Sequence, residues 1–173
     1  TSRSAGLARM AHDRLGALAY QCPVAATLED LRSWDLPLCD GGEAYAHPQV
    51  TKLSDRVQAA DAILLAVPVY NYYANAAAKN MIELTSRAWT DKLVGFLCAA
   101  GGHGSYMSIV SLAGSLMLDF RCLVLPRFVY VSGKPAGGPE DEQGEHADIA
   151  ERVDLLCREL VRVGIALRDT PSL

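Results

Sequence analysis

The stretch AILLAVPVYNYY, residues 62–73, decides the fold class of this 173-residue chain. It opens with a continuous apolar run that Pro68 ends. A short run of this kind is typical of a strand buried on both faces of a parallel sheet. A second apolar run, residues 93–99, is stopped by Gly101 and Gly102. The two runs predict neighbouring strands in the interior of a parallel sheet.

Segments with helical spacing of apolar residues alternate with these strands. The spacing predicts helices over residues 4–19, 48–60, 76–89, 105–119 and 147–167. Ser4 is the predicted N-cap of the first helix. Because helices alternate with apolar strands, we expect an α/β fold with three layers and a doubly wound parallel sheet. Ligands bind such sheets at the carboxyl ends of the strands.

Two further strands complete the predicted sheet. One covers residues 24–31, and the other covers residues 121–131 with a break or bulge at Pro126. Residues 132–144 carry many turn signals and are predicted to be a loop.

Composition limits the classes of function. Half of the residues are hydrophobic and 21% are charged, so we expect one globular domain over residues 1–173. A net charge of −4 argues against a nucleic-acid surface. No apolar run approaches the ~20 residues of a membrane span, and we expect no membrane contact and no signal peptide. The five cysteines are scattered, so we expect neither a disulfide framework nor a metal site, and a cytoplasmic location.

Aromatic residues crowd the end of the first apolar run. Tyr70, Tyr72 and Tyr73 are three of the seven tyrosines in the chain, and Asn71 lies among them. A flat conjugated ligand would use this aromatic surface, while the asparagine amide can bond to the edge of a heterocycle. A subunit interface also favours tyrosine, and the two interpretations are compatible.

Glycines crowd the end of the second run, in AAGGHGS, residues 99–105. Glycine lets backbone N–H groups approach a ligand closely, and the predicted helix that follows adds a positive dipole end. A plain turn between strand and helix fits the same residues. His103 is a candidate proton donor, although a histidine in an exposed loop commonly has no catalytic role.

With both loops in view, the chain resembles the NAD(P)H-dependent FMN reductase family of flavodoxin-like proteins. The resemblance is carried by ADAILLAVPVYNYYANAAAKN, residues 60–80, and GFLCAAGGHGS, residues 95–105. The family pattern is Pro-Glu-Tyr-Asn, a small or hydroxyl residue, a proline and then Leu-Lys-Asn. The matching residues are Pro68, Tyr70, Asn71, Lys79 and Asn80. Val69 replaces the glutamate, Tyr73 the hydroxyl residue and Asn75 the proline.

The resemblance implies an FMN site at the carboxyl edge of the sheet. The N-terminal TSRSAGLAR is similar to the end of the family's phosphate loop, which places Ser2 and Ser4 at the phosphate with help from Arg3. The ring would lie between the two strand-end loops. The implied FMN-binding residues are Ser2, Arg3, Ser4, Pro68, Val69, Tyr70, Asn71, Ala100, Gly101, Gly102, His103 and Gly104.

The resemblance also implies an activity. NADPH or NADH would pass a hydride to bound FMN. The reduced flavin would then pass electrons to a small-molecule acceptor: a flavin, a quinone, an azo compound or a metal oxyanion. Hydride transfer needs no general base, and no catalytic acid–base residue is assigned. Two alternatives stay open, namely an electron-transfer protein without reductase activity and a flavin-free interaction protein.

The aromatic residues Tyr72, Tyr73 and Trp89 predict a homodimer or tetramer, because a monomer seldom leaves so much aromatic surface exposed. A flavodoxin-like sheet has strand order 2-1-3-4-5, and the predicted strands number one too few for it. We therefore expect strand 1 to precede Thr1, and the natural polypeptide to begin earlier than this sequence. The alternative is that another segment or a neighbouring subunit takes the place of this strand.

Overall fold

The computed structural model describes residues 2–101, 107–133 and 139–169. The helices of these residues are α1 (Arg3–Leu18), α2 (Pro48–Ala59), α3 (Ala76–Thr85), α4 (Val110–Phe120) and α5 (Pro139–Arg168). The strands are β1 (Ala62–Tyr70), β2 (Tyr73–Ala74), β3 (Leu93–Ala100), β4 (Leu123–Val124) and β5 (Val129–Ser132). Short 3₁₀ turns cover Leu31–Ser33, Glu43–Ala46 and Ser86–Trp89. Within this described part of the chain, no helix combines the length and apolar character needed to cross a bilayer.

Strand β3 forms the centre of the sheet. It runs parallel to β1 on one side and parallel to both β4 and β5 on the other. The segment between β4 and β5 contains Pro126, as the predicted break in that strand requires. Strand β2 is a short antiparallel addition to the end of β1. The sheet is therefore mainly parallel, as the apolar runs predict.

Both faces of β3 are buried, which explains why its sequence is apolar throughout. Val94, Phe96 and Cys98 pack into the layer that contains α2, α3 and α4. Leu93 and Leu97 pack into the opposite layer, with α1 and α5. The predicted sandwich of helices on both faces of the sheet is observed.

A glycine in β3 permits close packing against α5. A Cβ atom on Gly95 would lie 2.7 Å from Cδ2 of Leu64 and 3.3 Å from Cδ1 of Leu156. Leu156 is fully buried, so its side chain has little room to move. The absence of a side chain at this position sets the distance between the sheet and α5.

The predicted strand at residues 24–31 is wrong, because residues 23–30 have no strand ladder. Instead, the Asp30 carboxylate accepts a 3.0 Å hydrogen bond from the Arg32 N–H and caps the 3₁₀ turn that follows. A strand exists only when a neighbouring backbone completes its ladder, and the described residues place no strand beside this segment. The order of the predicted third, fourth and fifth strands is observed, whereas the full order 2-1-3-4-5 is not.

Several predicted element boundaries are also wrong. Ser2, not Ser4, is the N-cap of α1, and its Oγ accepts a 3.4 Å bond from the Ala5 N–H. Helix α3 ends at Thr85 because Ser86 has a φ of +36°, and the chain continues only as a 3₁₀ turn.

Helix α5 begins inside the predicted loop 132–144, since a proline followed by acidic residues is a favourable helix start. The predicted helix 105–119 is α-helical from Val110, and residues 102–106 and 134–138 lie outside the described residues.

Candidate functional site

The strand register brings three chain segments to one edge of the sheet. Val69 of β1 is paired with Ala100 of β3, and Ala100 is paired with Ser132 of β5. All three strands are parallel, so their carboxyl ends lie side by side, roughly 4.8 Å from strand to strand. The two loops singled out from the sequence therefore begin next to one another.

The start of α1 reaches the same edge through the side chain of Arg3. Its Nη2 donates a 2.6 Å hydrogen bond to the carbonyl oxygen of Ala100. Its Nη1 donates a 2.8 Å hydrogen bond to the carbonyl oxygen of Gly133, the residue after β5. The predicted phosphate residues Ser2, Arg3 and Ser4 are thus beside the predicted ring loops.

The first turn of α1 carries hydrogen-bond donors and no acid. The Oγ atoms of Ser2 and Ser4 lie 3.1 Å apart, and no Asp or Glu occurs in this turn. The first N–H groups of a helix have no acceptor within the helix and carry the positive end of its dipole. Arg3 forms no ion pair with any described residue. These groups fit a phosphate group.

A tight hairpin follows the end of β1. Tyr70 is paired with Tyr73, and the two residues between them, Asn71 and Tyr72, have φ values of +50° and +61°. A two-residue turn with positive φ at both positions matches the twist of the strands, and asparagine adopts this conformation readily. Tyrosine does so at a cost. The hairpin leaves Tyr70 64% exposed and Tyr72 72% exposed at the rim of the edge.

The residues before this hairpin offer backbone only. The Val69 side chain is buried in the layer with α2, α3 and α4. At this position, where the family pattern has a glutamate, the edge of the sheet therefore carries no exposed side chain. The Pro68 carbonyl accepts a 3.1 Å bond from the N–H of Asn75 and so fixes the start of α3. The side-chain oxygen of Asn75 is buried and has no partner among the described residues.

The last two residues of the motif, Lys79 and Asn80, have structural partners. Asn80 accepts a 2.8 Å bond from the N–H of Cys39 and donates a 2.9 Å bond to the carbonyl of Pro37. Lys79 pairs with Glu83, one turn further along α3, at 2.5 Å. Asn80 holds the segment before α2 against α3, and none of these three bonds reaches the carboxyl edge of the sheet.

The described residues leave space beside the end of β3. Ala100 is buried, while a Cβ atom on Gly101 would meet no atom of the described residues within 4 Å. The predicted site residues Gly102, His103 and Gly104 lie outside the described residues.

Two residues at this edge, Ser132 and Gly133, are not among the site residues predicted from the sequence. Ser132 is the last residue of β5 and Gly133 follows it, as Gly101 follows Ala100 at the end of β3. Gly133 has a φ of +66°. A glycine just after a predicted parallel strand is the signal that would have found them.

The prediction of an exposed Trp89 beside the loop is wrong. Trp89 is fully buried, and its Nε1 donates a 2.7 Å hydrogen bond to Oγ1 of Thr85. It belongs to the core and contributes nothing to an aromatic surface.

The described residues at the edge supply no carboxylate, histidine or reactive thiol. Cys98, two residues before the end of β3, is fully buried, and burial raises the pKa of its thiol to about 12. A thiol with that pKa stays protonated and unreactive near neutral pH. The edge can bind and orient a ligand, and its donors suit an anionic group.

Known proteins match this chain in sequence and in fold. Residues 1–136 match the sequence model of the family described as NADPH-dependent FMN reductase. An NAD(P)H-dependent FAD/FMN reductase of Geobacillus thermodenitrificans is 28% identical over 153 residues, which cover 86% of this chain and 80% of that protein. A probable NADPH:quinone oxidoreductase of Oryza sativa is 36% identical over 128 residues, 71% of this chain and 64% of that protein.

The solved structures share the fold at low sequence identity. RosB, crystallised with a bound derivative of riboflavin-5'-phosphate, superposes with a TM-score of 0.72 at 16% identity, covering 99% of this chain and 76% of RosB. The NAD(P)H:(acceptor) oxidoreductase FerB of Paracoccus denitrificans gives a TM-score of 0.59 at 20% identity, with 91% of each chain covered.

Proposed function

Since this chain belongs to the NADPH-dependent FMN reductase family and is thus an oxidoreductase that uses FMN and NAD(P)H, we propose that it holds FMN at the shared carboxyl edge of β1, β3 and β5. The observation that supports this placement most directly is the bridge from Arg3 to Ala100 and Gly133. That bridge puts the donor-rich start of α1 beside the two strand-end loops. A phosphate and a ring joined by a short chain fit such an arrangement.

The FMN phosphate binds at the first turn of α1. Ser2 and Ser4 offer hydroxyl groups, the helix start offers N–H groups, and Arg3 contributes a positive charge that no described carboxylate neutralises. The absence of an acidic side chain in this turn favours a dianion. Ser2, Arg3 and Ser4 would bind the phosphate without the lysine that a P-loop provides.

The ring binds between the β1 hairpin and the segment that starts at Gly101 and includes Gly102, His103 and Gly104. Pro68 and Val69 contribute backbone groups, while Asn71 contributes its amide at the ring edge. Tyr70 supplies an exposed aromatic surface beside the ring. Gly101 leaves space that a larger residue would fill.

FMN held by these residues would supply the redox chemistry, namely hydride transfer from NAD(P)H and reduction of a second substrate. The residues of the edge orient the two reactants and need not transfer protons. This division fits the lack of a carboxylate or histidine among the described edge residues.

A small planar acceptor is the second substrate. The relatives include quinone reductases of Oryza sativa and Pseudomonas putida, and a quinone is the acceptor we propose first. A free flavin, an azo compound and a metal oxyanion are the other acceptors to compare. Tyr72, 72% exposed, stands where it would contact an acceptor at the rim of the site.

We also propose a homodimer or tetramer of single-domain subunits, located in the cytoplasm. Helix α4 supports an association surface, because Val110, Met117 and Leu118 are exposed on it and Leu118 is 85% exposed. The complete sheet order 2-1-3-4-5 belongs to the same proposal. Among the described residues, β3 pairs with most of β1, whereas β2 pairs only with its last two residues. The proposed order would place a further strand on the side of β1 opposite β3.

The test is a fluorescence titration of FMN with the purified chain, followed by anaerobic addition of NADH or NADPH. We expect quenching near one FMN per chain and bleaching of the flavin absorbance within minutes. A chain that ignores FMN would refute the proposal, whereas FMN that binds but stays oxidised would favour an electron-transfer protein.

Matched tyrosine variants locate the site. Tyr70→Ala should weaken FMN binding, because it removes aromatic contact at the edge. Tyr20→Ala is the control: Tyr20 is 94% exposed and follows the far end of α1. Equal effects of the two substitutions would contradict the proposed ring position.

A further inference from the structure

We infer that Arg3 is a positioning residue that couples the phosphate end of the site to its ring end. Its guanidinium holds the carbonyl groups of Ala100 and Gly133 in fixed positions, and so sets the start of the two segments beside the ring. This inference rests on the proposed FMN site. It assigns Arg3 a task that differs from simple attraction of the phosphate.

The geometry joins three distant parts of the chain. Arg3 lies 97 residues from Ala100 and 130 residues from Gly133, yet it donates to both carbonyls, at 2.6 Å and 2.8 Å. The Ala100 oxygen also accepts a 3.3 Å bond from the N–H of Gly133. One guanidinium and one backbone amide thus converge on the last carbonyl of β3.

The chemistry of arginine suits this task. A carbonyl oxygen can accept two hydrogen bonds, so the Ala100 oxygen can bond to Arg3 as well as to the N–H of Gly133. A guanidinium presents several N–H groups in a rigid plane, so it can bond to two carbonyl oxygens in one geometry. A lysine ammonium is a compact charge on a flexible stem and fixes such a pair less well.

The position of the two carbonyls explains the consequence for the ring. Gly101 follows Ala100 directly, and Gly133 has a φ of +66°, which few other residues adopt. Glycines leave both strand ends free to change direction once the hydrogen bonds are lost. Without Arg3, the ring side of the site should loosen even for a ligand that has no phosphate.

Riboflavin provides the discriminating probe, because it carries the same ring as FMN and lacks the phosphate. We expect Arg3→Ala to raise the dissociation constant of riboflavin about tenfold, as loss of charge-assisted hydrogen bonds predicts, and that of FMN at least as much. Arg9→Ala is the control, since Arg9 is exposed on the same helix and close in sequence. It should change neither constant by more than about twofold.

The other outcomes are equally informative. Loss of FMN binding with unchanged riboflavin binding would reduce Arg3 to a phosphate ligand and overturn the inference. Arg3→Lys retains the charge, so it should recover part of the FMN affinity while riboflavin binding stays weak. At saturating FMN, the fluorescence of the bound flavin should be higher in Arg3→Ala than in the parent, which a loss of stability alone would not produce.

Amide hydrogen exchange tests the inference without any flavin. In the flavin-free chain, the Gly133 amide should exchange at least about tenfold faster in Arg3→Ala than in Arg9→Ala. Equal rates would overturn the inference even if the parent binds FMN well. A parent chain that binds neither flavin refutes the proposed function, while the exchange rates still decide the role of Arg3. If Arg3→Ala lacks a cooperative melt, the same comparison is made with Arg3→Lys.

Discussion

The indole Nε1 of Trp89 donates a 2.7 Å hydrogen bond to Oγ1 of Thr85, and both residues are buried. The same hydroxyl donates a 2.7 Å bond to the carbonyl of Met81, one turn earlier in α3. Thr85 therefore satisfies a buried N–H group and ties the 3₁₀ turn to the helix before it.

Replacement of this hydroxyl should be costly. Thr85→Val keeps the shape of the side chain but leaves the Trp89 N–H without an acceptor, so we expect the free energy of unfolding to fall by about 1–3 kcal/mol. Thr85→Ser keeps the hydroxyl and should retain more of the stability. Urea denaturation measures both, and equal losses in the two variants would contradict the role of the hydrogen bond.

Two glycines should respond to alanine with opposite signs. Gly95→Ala places a methyl group against Leu64 and Leu156, and we expect the free energy of unfolding to fall by about 1–3 kcal/mol. Gly114 lies within α4, and beyond the adjacent helix backbone no atom of the described residues lies within 4 Å of an added Cβ. Gly114→Ala should therefore raise the free energy of unfolding by about 0.5–1 kcal/mol. Stabilisation by both substitutions would show that the sheet and α5 are less tightly packed.

The hairpin tyrosines differ in backbone conformation. Tyr72 has a φ of +61°, so Tyr72→Gly relieves strain and should leave stability unchanged or raise it by up to about 1 kcal/mol. Tyr73 belongs to β2 and has no positive φ, so Tyr73→Gly should lower stability. Thermal melts in the absence of flavin measure the difference, and a larger loss for Tyr72→Gly than for Tyr73→Gly would be contrary to expectation.

Asn71 should contribute to flavin affinity through its amide. Asn71→Ala removes that amide but also puts alanine at a φ of +50°, so Asn71→Gly, which tolerates this φ, is the cleaner variant. We expect Asn71→Gly to weaken FMN binding by about 1–2 kcal/mol. Fluorescence titration measures it, with unchanged affinity as the result that would remove Asn71 from the site.

Asp30 should make stability depend on acid. The side-chain hydrogen bonds from Arg32, with that residue's backbone N–H, lower the pKa of Asp30 from 3.8 to about 2. A carboxyl group with a lowered pKa stabilises the fold above its unfolded pKa, and this stabilisation disappears as the pH falls from about 4 through about 2.

Because the Asp30–Arg32 pair is largely exposed, we expect its contribution to be below about 1 kcal/mol. Asp30→Asn should lose less stability than the parent chain between about pH 6 and about pH 2. In an Arg32→Gln background the difference should shrink. A difference that persists unchanged there would assign the low pKa to another cause.

The sequence alone was sufficient for the parallel sheet and for the edge at which its strands end side by side. The apolar runs at 62–67 and 93–99 form β1 and β3, because only a strand covered on both faces tolerates apolar residues at every position. The family resemblance drawn from residues 60–80 and 95–105 is confirmed by the match over residues 1–136. Local composition is enough to predict these two strands, because each position of a strand buried on both faces favours an apolar residue.

Contacts between distant residues decided the rest. Residues 24–31 have a strand-like composition but no neighbouring backbone among the described residues, and a strand cannot be stable without one. The sequence predicts an exposed Trp89 and an Arg3 that assists at the phosphate, and only the structure shows the bonds of Trp89 to Thr85 and of Arg3 to Ala100 and Gly133. Hydrogen bonds across 97 or 130 residues leave no pattern in local sequence, because their partners meet only after the sheet has formed.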